Sequence, residues 1–335
     1  MSRFSTILGH TRALEVLTGL LERERVPHAM LLHGPEGIGK ASIARLLART
    51  LICRQLGCST CEDCRLFDAG NHPDYLHLKL ELRKDKKEYR KQIVIEQIRQ
   101  LSSQVGLAPR MGARRSILID PADRMTLEAQ NALLKTLEEP PPHTVLMLIA
   151  ARPQVLVSTV RSRCFSLGLG PLRARDLAQL LEGRGFDARE AMARAALAEG
   201  RPGRALELDL DILKERRESL LGGLERLAAR RNIELLQSLG AALAGKDEPA
   251  LQSNLELLAG LLRDAARAAS GDGAEVLVHA DLADRLAGLG QTLGIERAAA
   301  LVGSVDKLRD QLRFNLNRTL VAESLLAAVA GGPLP

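Results

Sequence analysis

The sequence predicts an α/β domain, a parallel sheet with flanking helices, followed by two helical segments. Three observations predict it. Short, largely apolar runs at Ala29-Met-Leu-Leu32, Ser116-Ile-Leu-Ile-Asp120 and Thr144-Val-Leu-Met-Leu-Ile149 read as strands buried on both faces. Helix-period segments separate them, as crossover connections require. Beyond Pro171 strands give way to Ala/Leu segments of helical period split by glycine. A chain of 335 residues suggests two or three domains. The expected bounds are 1–168 for the α/β domain, 169–209 for a small helical lid and 210–330 for an all-helical domain.

Hydrophobic residues make up 46% of the chain but aromatics only 2%, with no Trp, so its cores must be packed from Ala, Leu, Ile and Val. The 47 basic and 41 acidic residues leave a net charge of +6, which permits a nucleic-acid partner without requiring one. No segment interleaves aromatic and basic residues as a single-strand stacking platform does. MSRFSTILGH lacks the apolar core of a secretory signal, and no apolar run approaches the ~18 residues of a membrane span. A cytoplasmic protein with reduced cysteines is therefore expected.

In chain order, residues 2–27 read as a lead-in and an amphipathic helix bearing Leu14, Leu17 and Leu21. His33-Gly-Pro-Glu-Gly-Ile-Gly-Lys-Ala-Ser42 then joins the first strand to a helix. Strand, glycine-rich turn and helix N-terminus form the setting of a phosphate-binding loop. Gly34, Gly37 and Gly39 allow inward-pointing N–H groups, and Lys40 stands where such a lysine reaches β- and γ-phosphates. The motif asks for Ser or Thr next, to ligate Mg²⁺. Here that residue is Ala41, and Ser42 lies about 100° further around the helix. The nucleotide site is thus degenerate.

Cys53, Cys58, Cys61 and Cys64 follow, spaced C-x4-C-x2-C-x2-C. Four thiolates within twelve residues can surround one tetrahedral Zn²⁺; an iron–sulfur cluster and an unliganded set are the alternatives. No water-activating partner accompanies them, so a structural module over about 53–70 is expected. Tyr75 to Leu82 alternates as a strand, and Arg83 to Lys91 is a charged run, read as a solvated hairpin tip with a phosphate-contacting loop as alternative. Ile93-Val-Ile95 suggests a strand running into a helix with Ile98, Leu101 and Val105.

Asp120 ends the second buried strand in the manner of a Walker B aspartate, which holds the Mg²⁺ shell. A hydrolytic site would place Glu next, to polarise water; Pro121 stands there, and Asp123 is no obvious replacement. Thr126 to Glu139 reads as a capped helix stopped by Pro140-Pro-Pro142. After the third strand, where a polar residue would sense the γ-phosphate, the chain has Ala150 and Ala151. Arg161 and Arg163 lie just before a last short strand at Phe165 to Leu169. Helices are expected at Leu172 to Glu182, Ala188 to Ala198 and Gly203 to Leu208, then five or six more over 210–330.

Taken together these segments resemble the AAA+ clamp-loader subunits of bacterial DNA polymerase III. The resemblance rests on Ile7-Leu-Gly9, Pro27-His-Ala29, the phosphate loop, the cysteine module with Asn71-His-Pro-Asp74, Ala129-Gln-Asn-Ala-Leu-Leu-Lys-Thr-Leu-Glu-Glu-Pro140 and Ser162-Arg-Cys164. It covers about the first half of the chain. The losses at Ala41, Pro121 and Ala150-Ala151 make it most similar to the delta-prime branch rather than to the gamma and tau motors. The resemblance implies a non-hydrolysing stator that helps load a sliding clamp on primed DNA, with a helical collar over 210–330. It implies that Arg163 serves in trans as an arginine finger on a neighbouring subunit's nucleotide, worth roughly 10³–10⁵ in rate. Arg204 falls where the lid's sensor arginine lies. The implied partners are gamma/tau and delta subunits, the clamp and primer–template DNA; the implied cofactors are structural zinc and, at the degenerate loop, ATP or ADP. An active motor subunit, using Asp123 to orient water, is the alternative, and a free-standing phosphoryl-transfer enzyme a more distant one.

Overall fold

The computed structural model describes residues 4, 7, 9–80, 92–105, 108–230, 232–312 and 316–334. The chain forms two compact units, Met1–Glu207 and Leu208–Pro335. The first holds β1 (Ala29–His33), β2 (Tyr75–Leu78), β3 (Arg115–Ile119), β4 (Thr144–Ala150) and β5 (Phe165–Gly168) in one sheet of order β2-β3-β4-β1-β5. Every pairing is parallel: Leu31 faces Leu148 on one side of β1 and Ser166 on the other. β4 thus lies between the strand leading into the phosphate-loop segment and the strand leading into Asp120.

The alternation of side chains along each strand builds two cores. Met30, Leu32, Leu118, Val145, Met147 and Ile149 face α1 (Thr11–Glu22) and α2 (Lys40–Ile52), which contribute Leu17, Leu21, Ile43 and Leu47. Ala29, Leu31, Ile117, Ile119, Leu146 and Leu148 face the opposite layer. There α4 (Ile95–Val105), α5 (Leu127–Glu138) and the single turn α6 (Ser158–Arg161) contribute Ile98, Leu133, Leu137 and Val160. Covering both faces is why the central strands carry unbroken apolar runs, Ala29–Leu32, Ile117–Ile119 and Val145–Ala150, rather than alternating. The helix α3 (Glu62–Asp68) carries the last cysteine of the cluster.

α5 begins where its cap requires: the Thr126 hydroxyl accepts the Ala129 N–H at 3.2 Å. Two sequence expectations need correction. Strand β2 stops at Leu78; Lys79 and Leu80 are not strand, and residues 81–82, like the charged run 83–91, lie outside the described residues. Ile93 makes a single parallel bridge to Met125 and α4 starts at Ile95, because the backbone of Ile93 is taken up by the turn after Asp120. Its N–H donates to Arg124 O, and its carbonyl accepts from Thr126.

The helices α7 (Ala174–Glu182), α8 (Ala188–Leu197) and α9 (Pro202–Glu207) belong to the first unit. Unit two is helical among its described residues: α10 (Leu210–Ala229), α11 (Ile233–Ala244), α12 (Glu248–Ala269), α13 (Ala283–Leu293), α14 (Ile295–Gln311) and α15 (Arg318–Val329). Side-chain caps from Asp209, Asn232, Asp247 and Asn317 start four of these. α12 is central, its Leu251, Leu255, Leu258 and Leu262 fully buried. It packs on α13 and α14. α13 approaches so closely at Gly290 that a Cβ there would lie 2.0 Å from Ala265 O. No described helix is long and apolar enough to cross a membrane.

Candidate nucleotide loop and cysteine centre

The loop after β1 is shaped by its glycines. Gly34 has φ +146°, and a Cβ there would sit 2.1 Å from the Leu169 carbonyl oxygen, inside any possible contact. Gly37, at φ +74°, is crossed by the start of α9: the Gly203 N–H donates to Gly37 O at 2.8 Å, and the Arg204 nitrogen is 3.2 Å from where a Cβ would stand. Gly39, at φ +102°, begins α2 in the left-handed region. The structure therefore brings Gly34, Gly37, Gly39, Lys40 and the backbone of Arg204 together.

Lys40 is buried, and its Nζ donates to the loop's own carbonyls, Gly34 O at 2.6 Å and Pro35 O at 2.7 Å. Burial lowers its pKa, opposed by the negative charges of Glu36, Asp123 and Asp120. Asp120, just beyond β3, is raised by burial and partly restored by Lys40, so the two expected phosphate- and metal-side groups sit in each other's field. Asp123 is buried and committed: it accepts the Arg152 N–H at 3.0 Å, with the Arg152 Nε 3.9 Å away. The Arg204 guanidinium ion-pairs with Glu199, in the turn before α9, at 3.6 Å.

His10, which the sequence reading did not single out, closes the other side. Its Nε2 lies 2.8 Å from Ile38 O. It also lines a cavity of about 200 Å³ with Ile38, Gly39, Leu177, Leu181 and Gly203. A lone histidine before a helix carries no sequence signal for this role; only the chain's return through α7 and α9 creates the cavity.

The four cysteine sulfurs lie within 4.8 Å of one another, with Cys53 Sγ 3.7 Å from Cys58 Sγ and 3.6 Å from Cys61 Sγ. Cys53 ends α2 and Cys61 starts α3, so two helix termini bring the ligands in. This donor set could hold one metal ion. The thiols sit in unequal surroundings: backbone N–H groups of Thr60 and Cys61 lower Cys58 to about 6, whereas burial pushes Cys64 up to about 12. Beside the cluster, His72 Nε2 is 3.4 Å from Asp63 Oδ1, tying α3 to the segment that follows it.

Arg163 stands apart from the loop. It follows α6, where one terminal nitrogen donates to Thr159 O at 3.0 Å and the other reaches Glu138 Oε1 at 2.7 Å. Both side chains are substantially exposed, 36% and 50%.

Residues 9–173 match the family model for the DNA polymerase III, delta subunit, and residues 213–330 match that for its C-terminal region. The DNA polymerase III subunit delta' of Pseudomonas aeruginosa is 32% identical over 93% of this chain and 94% of its own length. The subunit delta' of Escherichia coli is 31% identical over 94% and 92%. The chain belongs to the delta-prime family of DNA polymerase III subunits. The Escherichia coli subunit tau is 34% identical, but over 53% of this chain and 27% of its own length. These two delta-prime relatives therefore match nearly the whole chain, whereas the tau match covers about half of it.

The motif Asn71-His-Pro-Asp74 contains a heavily bonded carboxylate whose purpose the sequence does not reveal. Asp74 is fully buried and accepts N–H groups from Arg110 (2.8 Å), Met111 (2.8 Å) and Gly112 (3.0 Å), and from the Arg115 guanidinium at 3.2 Å. Burial would raise its pKa, but the Met111, Arg110 and Gly112 amides and Arg115 outweigh it and hold it below the ordinary carboxylate value. It fastens the segment entering β3 to the residue before β2, next to the cysteine module.

Proposed function

We propose that this delta-prime chain is a non-hydrolysing subunit of a clamp loader. It assembles with gamma/tau and delta subunits in the cytoplasm, helps load the sliding clamp on primer–template DNA, and lends Arg163 to a neighbouring ATPase site. The observation that carries the non-hydrolysing half is the fate of Asp123. With Ala41, Pro121 and Ala150 in place of hydroxyl, glutamate and polar sensor, Asp123 is the acid left to orient water, and it is buried and bound to the Arg152 amide. A missing base costs roughly 10²–10⁴ in rate even before the metal-ligand hydroxyl is counted. Lys40, Asp120 and Arg204 keep the outline of a nucleotide site, with Lys40 satisfied by its own loop. ATP or ADP binding at Gly34, Gly37, Gly39 and Lys40 through backbone donors is compatible with this role.

The isolated chain is expected to turn over ATP at least about 10²-fold more slowly than a motor subunit. Turnover at a motor's rate, abolished by Lys40→Ala, would establish the motor reading in its place.

In the same proposal the cysteine centre binds structural zinc through Cys53, Cys58, Cys61 and Cys64. A tetrahedron with Zn–S bonds of about 2.3 Å has edges of about 3.8 Å, and the sulfur separations of 3.6 and 3.7 Å support that size. An iron–sulfur cluster would spread its four cysteines over two or four irons and hold some of them wider apart than the 4.8 Å within which all four sulfurs lie. Elemental analysis of chain purified without chelator should give about one zinc per molecule, and stripping it should loosen the 53–70 segment to proteolysis. Fewer than about half an equivalent would remove the assignment. The helices α7–α9 serve as the lid and unit two as the collar through which the subunits assemble.

A further inference from the structure

We propose that Glu138 is the resting partner of Arg163: its carboxylate holds the finger when no phosphate is presented and is exchanged for the neighbouring subunit's phosphoryl group when one is. This rests on the reading of Arg163 as a finger and adds the residue that sets its availability. The two residues come from different elements, the C-terminus of α5 and the turn after α6, so sequence spacing does not pair them. In the fold, each terminal nitrogen of Arg163 has an acceptor, Glu138 Oε1 at 2.7 Å and Thr159 O at 3.0 Å. The Thr159 carbonyl is backbone and fixes where the guanidinium stands. Glu138 is a half-exposed side chain on a rotatable stem and carries the compensating charge.

The chemistry of exchange is balanced and needs no proton transfer. An arginine stays protonated throughout and a carboxylate and a phosphate oxygen present similar paired acceptors to its planar fork. While Glu138 is in place it cancels part of the field that Arg163 would exert on a phosphoryl group. It also occupies one of the N–H directions used for recognition. The exposure of both side chains matters here. A half-exposed pair is weakly held, so a dianionic phosphate can displace the carboxylate, whereas a buried pair could not be opened. Glu138 also sits in the last turn of α5, where a negative charge opposes the helix dipole and an ion pair to Arg163 offsets that cost.

The test uses the complete assembly with its motor subunits and reads steady-state ATP turnover in the absence of clamp and DNA. Glu138→Gln keeps the shape and removes the charge, and is expected to raise turnover roughly two- to fivefold, the range a half-exposed ion pair is worth. The ratio of variant to wild type should shrink as salt screens the pair in the wild type. Glu139→Gln, the same charge change one residue on, should leave turnover unchanged. An unchanged or lowered rate in Glu138→Gln, or an equal rise in Glu139→Gln, overturns the proposal while leaving the finger intact. Arg163→Ala measured alongside separates the two readings. If it does not lower turnover, the finger reading fails and this proposal with it. Removing a negative charge at a helix C-terminus does not threaten folding, which circular dichroism of the variant checks.

Discussion

Arg163→Ala is expected to lower ATP turnover at the neighbouring motor site by roughly 10³-fold or more while leaving assembly intact, since a guanidinium on a transferring phosphoryl group is worth about 10³–10⁵. The clearest measurement uses an assembly in which that neighbour is the one subunit with an intact P-loop lysine, so that its turnover is not masked by other sites. Assembly should survive, because the side chain is substantially exposed and its contacts are to one carbonyl and one exposed carboxylate. An exposed pair of that kind contributes at most about 1 kcal/mol to folding. Arg163→Lys should rescue only part of the loss, since an ammonium keeps the charge but lacks the planar fork. Unchanged turnover in Arg163→Ala, with sizing showing a complete assembly, would mean that the finger is supplied elsewhere.

Asp74→Ala is expected to cost about 3–5 kcal/mol, the usual penalty for breaking a buried ion pair by removing one partner. Three backbone amides and the buried guanidinium of Arg115 would lose their shared acceptor at once. For a unit of roughly 200 residues that corresponds to a fall in melting temperature of about 10 °C, readable by calorimetry. The pH dependence follows from the depressed carboxyl. Its folded pKa lies below the unfolded value of about 3.9. Its contribution is therefore complete above that unfolded pKa, and is lost as pH falls through the folded pKa. The stability gap between wild type and variant should be constant at neutral pH and close in acid. A variant within about 1 kcal/mol of wild type at pH 7 would show that the amides find other acceptors.

Much of the molecule was legible from local pattern. The three buried strands, the loop glycines, the four-cysteine spacing and the Thr126 cap are each written within a few adjacent residues. Backbone conformation and local hydrogen bonding depend on those neighbours. Asp120 and Lys40, although 80 positions apart, were legible as a pair because each ends or follows a buried strand, and parallel strands deliver their C-terminal ends to one side of a sheet. What failed locally failed for tertiary reasons. β2 is shorter than its alternation suggests because β3, its partner, ends at Ile119 opposite Leu78, leaving no ladder to extend. Ile93 is drawn into a single bridge by the turn that carries Asp123.

The sequence by itself determined the order of elements, the identity of the donors at the cysteine centre, and which chemical groups the nucleotide loop lacks. These are matters of residue type, and no folding can supply a hydroxyl at Ala41 or a carboxylate at Pro121. Only the tertiary structure decided what each remaining group is bonded to. It placed Asp123 on the Arg152 amide, Asp74 under the segment entering β3, the start of α9 across Gly37, and Glu138 against Arg163. Those partners are brought together by helix and strand packing over separations of 25 to 166 residues, and a hydrogen bond, unlike a helix turn, carries no periodicity by which a sequence could announce its other end.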